Sequence, residues 1–217
     1  MAFSFRPLAA ALALGLPLMA GTAHADDQGG KQAGDVMVRL RGLVVAPEDN
    51  SSSISAIGGA VSTSTTAVPE LDVSYFVTPN IAFEVIAATT QHRVTAKNTA
   101  LGDVDVGTVW ALPPTVTAQY HPFPNATFSP YVGAGLNYTF FYNAHAPGSP
   151  VSSVSYENNP GAALQVGVDY HVTGNWYANF DVKQLFLNTK AKINGGAITA
   201  KTALDPLLVG FGVGYKF

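Results

Sequence analysis

The sequence predicts an all-β protein, an eight-stranded antiparallel up-and-down transmembrane β-barrel with short periplasmic turns and long extracellular loops. Three observations carry that prediction. Eight segments alternate apolar and polar residues with a period of two, and none shows a convincing helical period. The links between them alternate between short and long, as in bacterial outer-membrane barrels. The more apolar parity of each segment carries no charge, as a surface facing lipid requires.

Residues 1 to 25 stand apart from this pattern. Arg6 precedes the apolar run "PLAAALALGLPLMAG", and Ala23-His24-Ala25 matches a small-x-small cleavage site, so the segment reads as a signal peptide cleaved after Ala25. The barrel domain is then residues 26 to 217, and loss of Arg6 moves the net charge from -3 to -4. That mild acidity gives no electrostatic case for nucleic acid as a partner. With no cysteine, disulfides, thiolate chemistry and cysteine-based metal sites are excluded together. The chain is 47% hydrophobic and only 12% charged, yet nothing after residue 25 approaches the roughly 18 to 20 consecutive apolar residues of a membrane-spanning helix.

The first strand, near residues 36 to 45, turns Val36, Val38, Leu40 and Val44 outward and Arg39 and Arg41 inward. The second, 68 to 77, presents Leu71, Val73, Tyr75 and Val77, with Glu70 and Asp72 behind them. After the tight turn "TPN", the third, 81 to 92, shows Ile81, Phe83, Val85 and Ala87 outside and Glu84 inside. The fourth, 106 to 121, shows Val116, Ala118 and Tyr120. It contains Pro113 and Pro114, which cannot donate to a ladder and mark an expected bulge with a shifted register.

The compact "PFPNATFSP" leads to the fifth strand, 131 to 142, with Val132, Ala134, Leu136, Tyr138 and Phe140 outward and Gly133, Gly135, Asn137 and Thr139 inward. The sixth, 162 to 172, turns out Leu164, Val166, Val168 and Tyr170 and keeps Asp169 inside. "TGN" joins it to the seventh, 176 to 187, where Trp176, Ala178, Phe180 and Val182 face lipid and Asp181 and Lys183 do not. In the eighth, 207 to 217, Phe211, Val213, Tyr215 and Phe217 face out, and Gly210, Gly212 and Gly214 leave room for side chains from the facing wall. Outward aromatics gather at the short-turn end, where Tyr75, Phe83, Tyr120, Tyr170, Trp176, Tyr215 and Phe217 form an interfacial girdle. The four remaining links, such as "APEDNSSSISAIGGAVSTSTTA" and "NAHAPGSPVSSVSYENNP", are long and polar. A soluble sandwich or lipocalin-like barrel would instead need charges on the solvent face of most strands, and strands five and eight offer almost none.

The wording of several segments resembles the outer-membrane protein W family. "LPPTVTAQYHPF", "SPYVGAGLNYTFFYN", "GAALQVGVDYHVTGNWYANFDVKQLFLNTKAKING" and "LDPLLVGFGVGYKF" occur in the order and spacing of that family, and "PELDVSYFVTPNIAFEVIAATTQHRV" extends the match through strands two and three. The resemblance implies an outer-membrane location in a Gram-negative bacterium and a narrow, largely hydrophobic lumen that admits small apolar molecules. It also implies a second reading, since members of such families serve as receptors for phages or bacteriocins. A non-transporting adhesin or envelope-stabilising barrel belongs to the same alternative. Tyr215 and Phe217 resemble the C-terminal signal read by the barrel assembly machinery. The expected partners are thus outer-membrane lipids and lipopolysaccharide, small hydrophobic solutes and that machinery.

An eight-stranded barrel has an interior that side chains fill, so a wide aqueous pore is excluded. Inward charges near midplane must pair, and the expected network is Arg39, Arg41, Asp72, Glu84, Asp169, Asp181 and Lys183. Toward the long links the inward parity supplies Leu43, Ile86, Phe141 and Leu185, an expected apolar vestibule above that charged floor. A solute blocked from below must leave sideways, and Pro113 and Pro114 mark the expected lateral opening. No catalytic residue, cofactor or metal is expected. His92, His145, Ser149, Ser152, Ser153 and Glu157 include the types of a hydrolase triad, but no nucleophile motif surrounds the serines. His92, His145 and Glu157 likewise lack metal-ligand spacing. His121 and His171 read as partly solvated imidazoles near the periplasmic interface, and Lys97, Lys190, Lys192 and Lys201 as solvated loop charges within reach of lipopolysaccharide phosphates.

Overall fold

Eight antiparallel strands close into a ring in the computed structural model, which describes residues 30 to 49 and 51 to 217. The expected signal peptide lies outside the described residues. The ring runs in chain order through β1 (Val36–Ala46), β2 (Thr66–Phe76), β3 (Ile81–Ala87), β4 (Thr115–Tyr120), β5 (Phe128–His145), β6 (Asn159–Thr173), β7 (Trp176–Phe186) and β8 (Leu207–Lys216). Each strand pairs with the next, and β8 returns to β1 with Val38 opposite Tyr215. Beyond the last ladder pair, Phe217 N–H donates to the Val36 carbonyl at 2.8 Å. Closure removes the unpaired edges that a lipid environment would penalise.

Alternation decides which side chains leave the barrel. Leu136 is 72% exposed and Phe211 67%, whereas Arg39, Asp72, Glu84 and Asp169 are fully buried. The parity read from the sequence holds through the strands, with the apolar set outside and the charges inside. Trp176, Tyr215 and Phe217 meet edge to face in sequence at the short-turn end, with ring centroids 4.9 and 4.7 Å apart.

The long links carry structure of their own, and two expectations change. Above the ring the chain continues in strands Thr90–Thr99, Gly102–Leu112, Asn188–Ile193 and Ile198–Ala203, joined by the short Ser51–Ile54, Ala60–Thr63 and Val154–Tyr156. The reason is a second alternation inside the polar links, which puts Val94, Ala96, Val104, Val106, Ala191, Ile193 and Ala200 on inner faces and packs them into one buried cluster.

The proline pair does not shift the register. Ile86 faces Thr115 and Thr90 faces Ala111, which is one unbroken register, but no ladder pair joins the stretch from Ala87 to Thr89 to that from Leu112 to Pro114. The expected single fourth strand is therefore two strands in line, with a gap in the β3–β4 seam. On the other side the ladder survives, because the Pro114 carbonyl accepts from Tyr138 N–H at 3.2 Å.

The glycines of β8 make room for the neighbouring strand, not the facing wall. Gly214 lies opposite Arg39 and Gly212 opposite Arg41 on β1. A Cβ on Gly212 would meet the Arg41 Cα at 2.6 Å, and one on Gly214 would meet Arg39 Cγ at 3.0 Å. Bare backbone there lets both guanidinium stems lie flat against β8.

Candidate functional site

The interior is layered along the barrel axis. At the short-turn end Met37, Phe76, Ala82 and Tyr177 form an apolar seal. Above it lies the ion-pair layer, and above that an apolar cavity.

All seven residues expected in the charged network meet in one cluster. Arg39 grips Asp169 with two hydrogen bonds, Nε to Oδ1 at 3.0 Å and Nη2 to Oδ2 at 2.8 Å, and reaches Asp72 Oδ1 at 3.0 Å and Ser74 at 2.7 Å through Nη1. Arg41 donates from Nε to Glu70 at 2.8 Å and from Nη1 to Asn179 at 3.0 Å, with its Nη2 2.7 Å from Asp72 and 3.3 Å from Glu84. Planar guanidinium forks suit this task because each can satisfy several carboxylates at fixed angles. Gln165 bridges Glu84 and Asp181 at 3.0 and 2.7 Å, and Tyr131 donates to Asp181 at 2.8 Å. Removing such charges from water is costly, and the number of bonds per carboxylate offsets that cost.

Residues absent from the expected network complete it. Lys31, just ahead of β1, is fully buried, with Nζ 2.8 Å from Asp169, 2.8 Å from Ser129 and 2.9 Å from His121 Nδ1. His121 is correspondingly not solvated, as expected from sequence, but buried. Because Lys31 donates to Nδ1, the ring carries its proton on Nε2 and donates to Gln119 at 3.2 Å. Glu70, read only as an inward residue, also joins the cluster. The layer thus holds Lys31, Arg39, Arg41 and Lys183 against Glu70, Asp72, Glu84, Asp169 and Asp181.

Leu43, Ile86, Phe141 and Leu185 all line one cavity of about 80 Å³ directly above this layer. Its walls are otherwise mainly Val, Ala, Ile, Leu and Pro side chains, including Pro113, and its base includes Glu70 and Lys183. The volume is several times what one water needs. Pro113 therefore touches both the cavity and the gap in the β3–β4 seam. Tyr156, from the link between β5 and β6, packs against Phe141 with the rings tilted by 33° and centroids 5.6 Å apart.

Among the described residues no group of three His, Cys, Asp or Glu side chains could hold a metal ion, and several side chains weighed for catalysis or metal binding hold other partners. His92 bonds the Ser64 carbonyl through Nδ1 at 2.7 Å and Thr90 through Nε2 at 2.9 Å, and burial holds its pKa below the ordinary histidine value. Ser152 and Ser153 bond Asn194. Glu157 pairs with Lys192 at 2.9 Å, and that lysine holds its carboxyl below the usual range. Lys97 pairs with Asp103 at 2.9 Å on the surface.

Comparison with known proteins places this architecture. The model of the OmpW family matches residues 32 to 217. An uncharacterised outer-membrane protein of Sinorhizobium fredii is 44% identical over 183 residues, covering 83% of this chain and 79% of that protein. Outer membrane protein W of Escherichia coli is 35% identical over 210 residues, 92% of this chain and 94% of that one. Among solved structures, the crystal structure of OprG from Pseudomonas aeruginosa superposes with a TM-score of 0.81 at 29% identity, covering 88% of this chain and 99% of that chain.

Proposed function

The chain belongs to the OmpW family of outer-membrane barrels, and we propose that it is a narrow conduit for passive uptake of small apolar molecules with lateral exit into the membrane. The observation that carries this reading is the apolar cavity lined by Leu43, Ile86, Phe141 and Leu185 above a layer packed with ion pairs. A solute in that cavity meets apolar side chains and gains the ordinary free energy of leaving water. Below it, passage along the axis would require breaking buried ion pairs, each break costing about 3 to 5 kcal/mol because it leaves a charge buried and unpaired.

The seam beside Pro113 offers the easier route. Its strands are already unpaired between Ala87 and Thr89 on one side and Leu112 and Pro114 on the other, so parting them there sacrifices no ladder bond. Lipid receives an apolar solute on the far side. No chemical step, cofactor or metal enters this reading. The partners are outer-membrane lipids and the solute itself, with lipopolysaccharide phosphates against exposed lysines such as Lys97 and the assembly machinery reading Tyr215 and Phe217.

The test compares entry of a labelled apolar solute and a small hydrophilic control into cells with and without the protein, with membrane integrity verified. Faster entry of the apolar solute alone supports the conduit. No difference across several apolar solutes would overturn it in favour of a surface receptor, adhesin or envelope-stabilising barrel.

A further inference from the structure

The floor of the cavity is not apolar. Lys183 is 1% exposed and lines the cavity base. Its Nζ stays 3.5 Å from Glu84 Oε2 and 3.6 Å from Asp181 Oδ1, outside the roughly 2.7 to 3.2 Å of an N–H···O hydrogen bond. Those carboxylates already hold shorter donors: Thr117 and Gln165 on Glu84 Oε2 at 3.0 Å each, and Gln165 and Tyr131 on Asp181 Oδ2 at 2.7 and 2.8 Å. An ammonium with three N–H donors therefore sits where the ion-pair layer meets the cavity, held by charge but not by short hydrogen bonds.

A second observation lies higher in the same cavity. The hydroxyls of Thr139 and Thr202, both more than nine-tenths buried, and the buried hydroxyl of Tyr156 have no hydrogen-bond partner among the described residues, and all three residues line the cavity. Buried hydroxyls in apolar surroundings are costly when unpaired. A purely hydrocarbon occupant would leave them and Lys183 as they are.

We propose that the cavity selects small neutral amphiphiles, an apolar body with one carbonyl or hydroxyl oxygen, and that this oxygen is anchored by Lys183 Nζ. The inference rests on the conduit reading and narrows its substrate class. Charge decides between neutral and anionic heads: the layer already sets five carboxylates against four cations, so a bound carboxylate adds to a surplus of negative charge. A neutral oxygen takes the hydrogen bond without that repulsion.

The test uses the purified barrel in lipid nanodiscs with cyclohexane, cyclohexanone labelled at its carbonyl carbon, and cyclohexanecarboxylate, each corrected for partition into protein-free nanodiscs. The ketone is expected to bind about tenfold more tightly than the hydrocarbon, as one hydrogen bond to a charged donor allows. Its carbonyl resonance is expected to move downfield, and its ring protons to show contacts with the Lys183 methylenes. Lys183→Met is expected to bring the ratio of ketone to hydrocarbon affinity to about one, while the contacts in the unaltered protein decide the matter even where that variant does not fold. Equal binding of ketone and hydrocarbon would overturn the inference and leave the conduit standing. Tighter binding of the carboxylate would overturn the neutral-head assignment, and binding of none would overturn inference and conduit together.

Discussion

Arg39 on β1 and Asp169 on β6 are tied across the lumen by two parallel hydrogen bonds of 3.0 and 2.8 Å, both side chains fully buried. Four strands of wall lie between them in one direction around the ring and two in the other, so the pair braces the barrel transversely. Lys31 shares the same carboxylate at 2.8 Å, which adds the segment ahead of β1 to the brace.

Asp169→Asn leaves Arg39 and Lys31 without their shared carboxylate. Stability is expected to fall by about 3 to 5 kcal/mol, the usual cost of breaking a buried ion pair on one side. Guanidinium unfolding in lipid vesicles, followed by tryptophan fluorescence, checks it, and an unchanged midpoint would show that the tie contributes nothing.

Leu185→Trp fills the cavity from a position that is only 2% exposed. Overpacking is expected to cost about 1 to 3 kcal/mol while the barrel still forms. Apolar solute entry is expected to drop to the level of cells lacking the protein, with heat-modifiable gel migration confirming the fold. Entry at the original rate would place the path elsewhere.

Ala88→Cys combined with Pro113→Cys sets two thiols opposite each other in the continuous register of the seam, in a chain that has no other cysteine. Oxidation is expected to suppress apolar uptake and reductant to restore it. Uptake that ignores the redox state would rule out lateral exit at this seam.

His92 lies above the ring in Thr90–Thr99, and burial lowers its pKa, opposed in part by its bond to the Ser64 carbonyl and by Asp49. A base with a lowered folded pKa is neutral in the folded state and binds a proton more readily when unfolded. Its stabilising contribution is thus complete above about pH 6.5, the unfolded histidine value, and is lost as pH falls below it. Amide exchange in Thr90–Thr99 and Ala60–Thr63, corrected for intrinsic rates, is expected to accelerate from pH 7 to pH 5, and His92→Phe is expected to flatten that dependence.

The barrel was legible in the sequence because lipid punishes a charge on the wrong parity, so Arg39, Glu84 and Asp181 each declare which way their strand faces. The same parity brings Leu43, Ile86, Phe141 and Leu185 to one cavity. Lys31 was not legible by this route, since it precedes the first strand and has no parity. Charge balance held the missing signal: the inward strand residues put Arg39, Arg41, Lys183 and, at the short-turn end, Lys216 against Glu70, Asp72, Glu84, Asp169 and Asp181, one cation short and so calling for one from outside the strands. The burial of His121 follows from Lys31 and was hidden with it. The upper strands were obscured because their apolar residues are small, as at Ala96, Ala191 and Ala200, and sit among serines, threonines and lysines.

The gap beside Pro113 has one further consequence, concerning reversibility. Because Ile86 with Thr115 and Thr90 with Ala111 keep a single register on either side of it, the two strands have only one way to come back together. A slip by one residue would turn every neighbouring side chain to the opposite face and place Glu84 in lipid. A seam that parts there resets itself after each event, like a fastener with a few teeth removed and the rest still aligned.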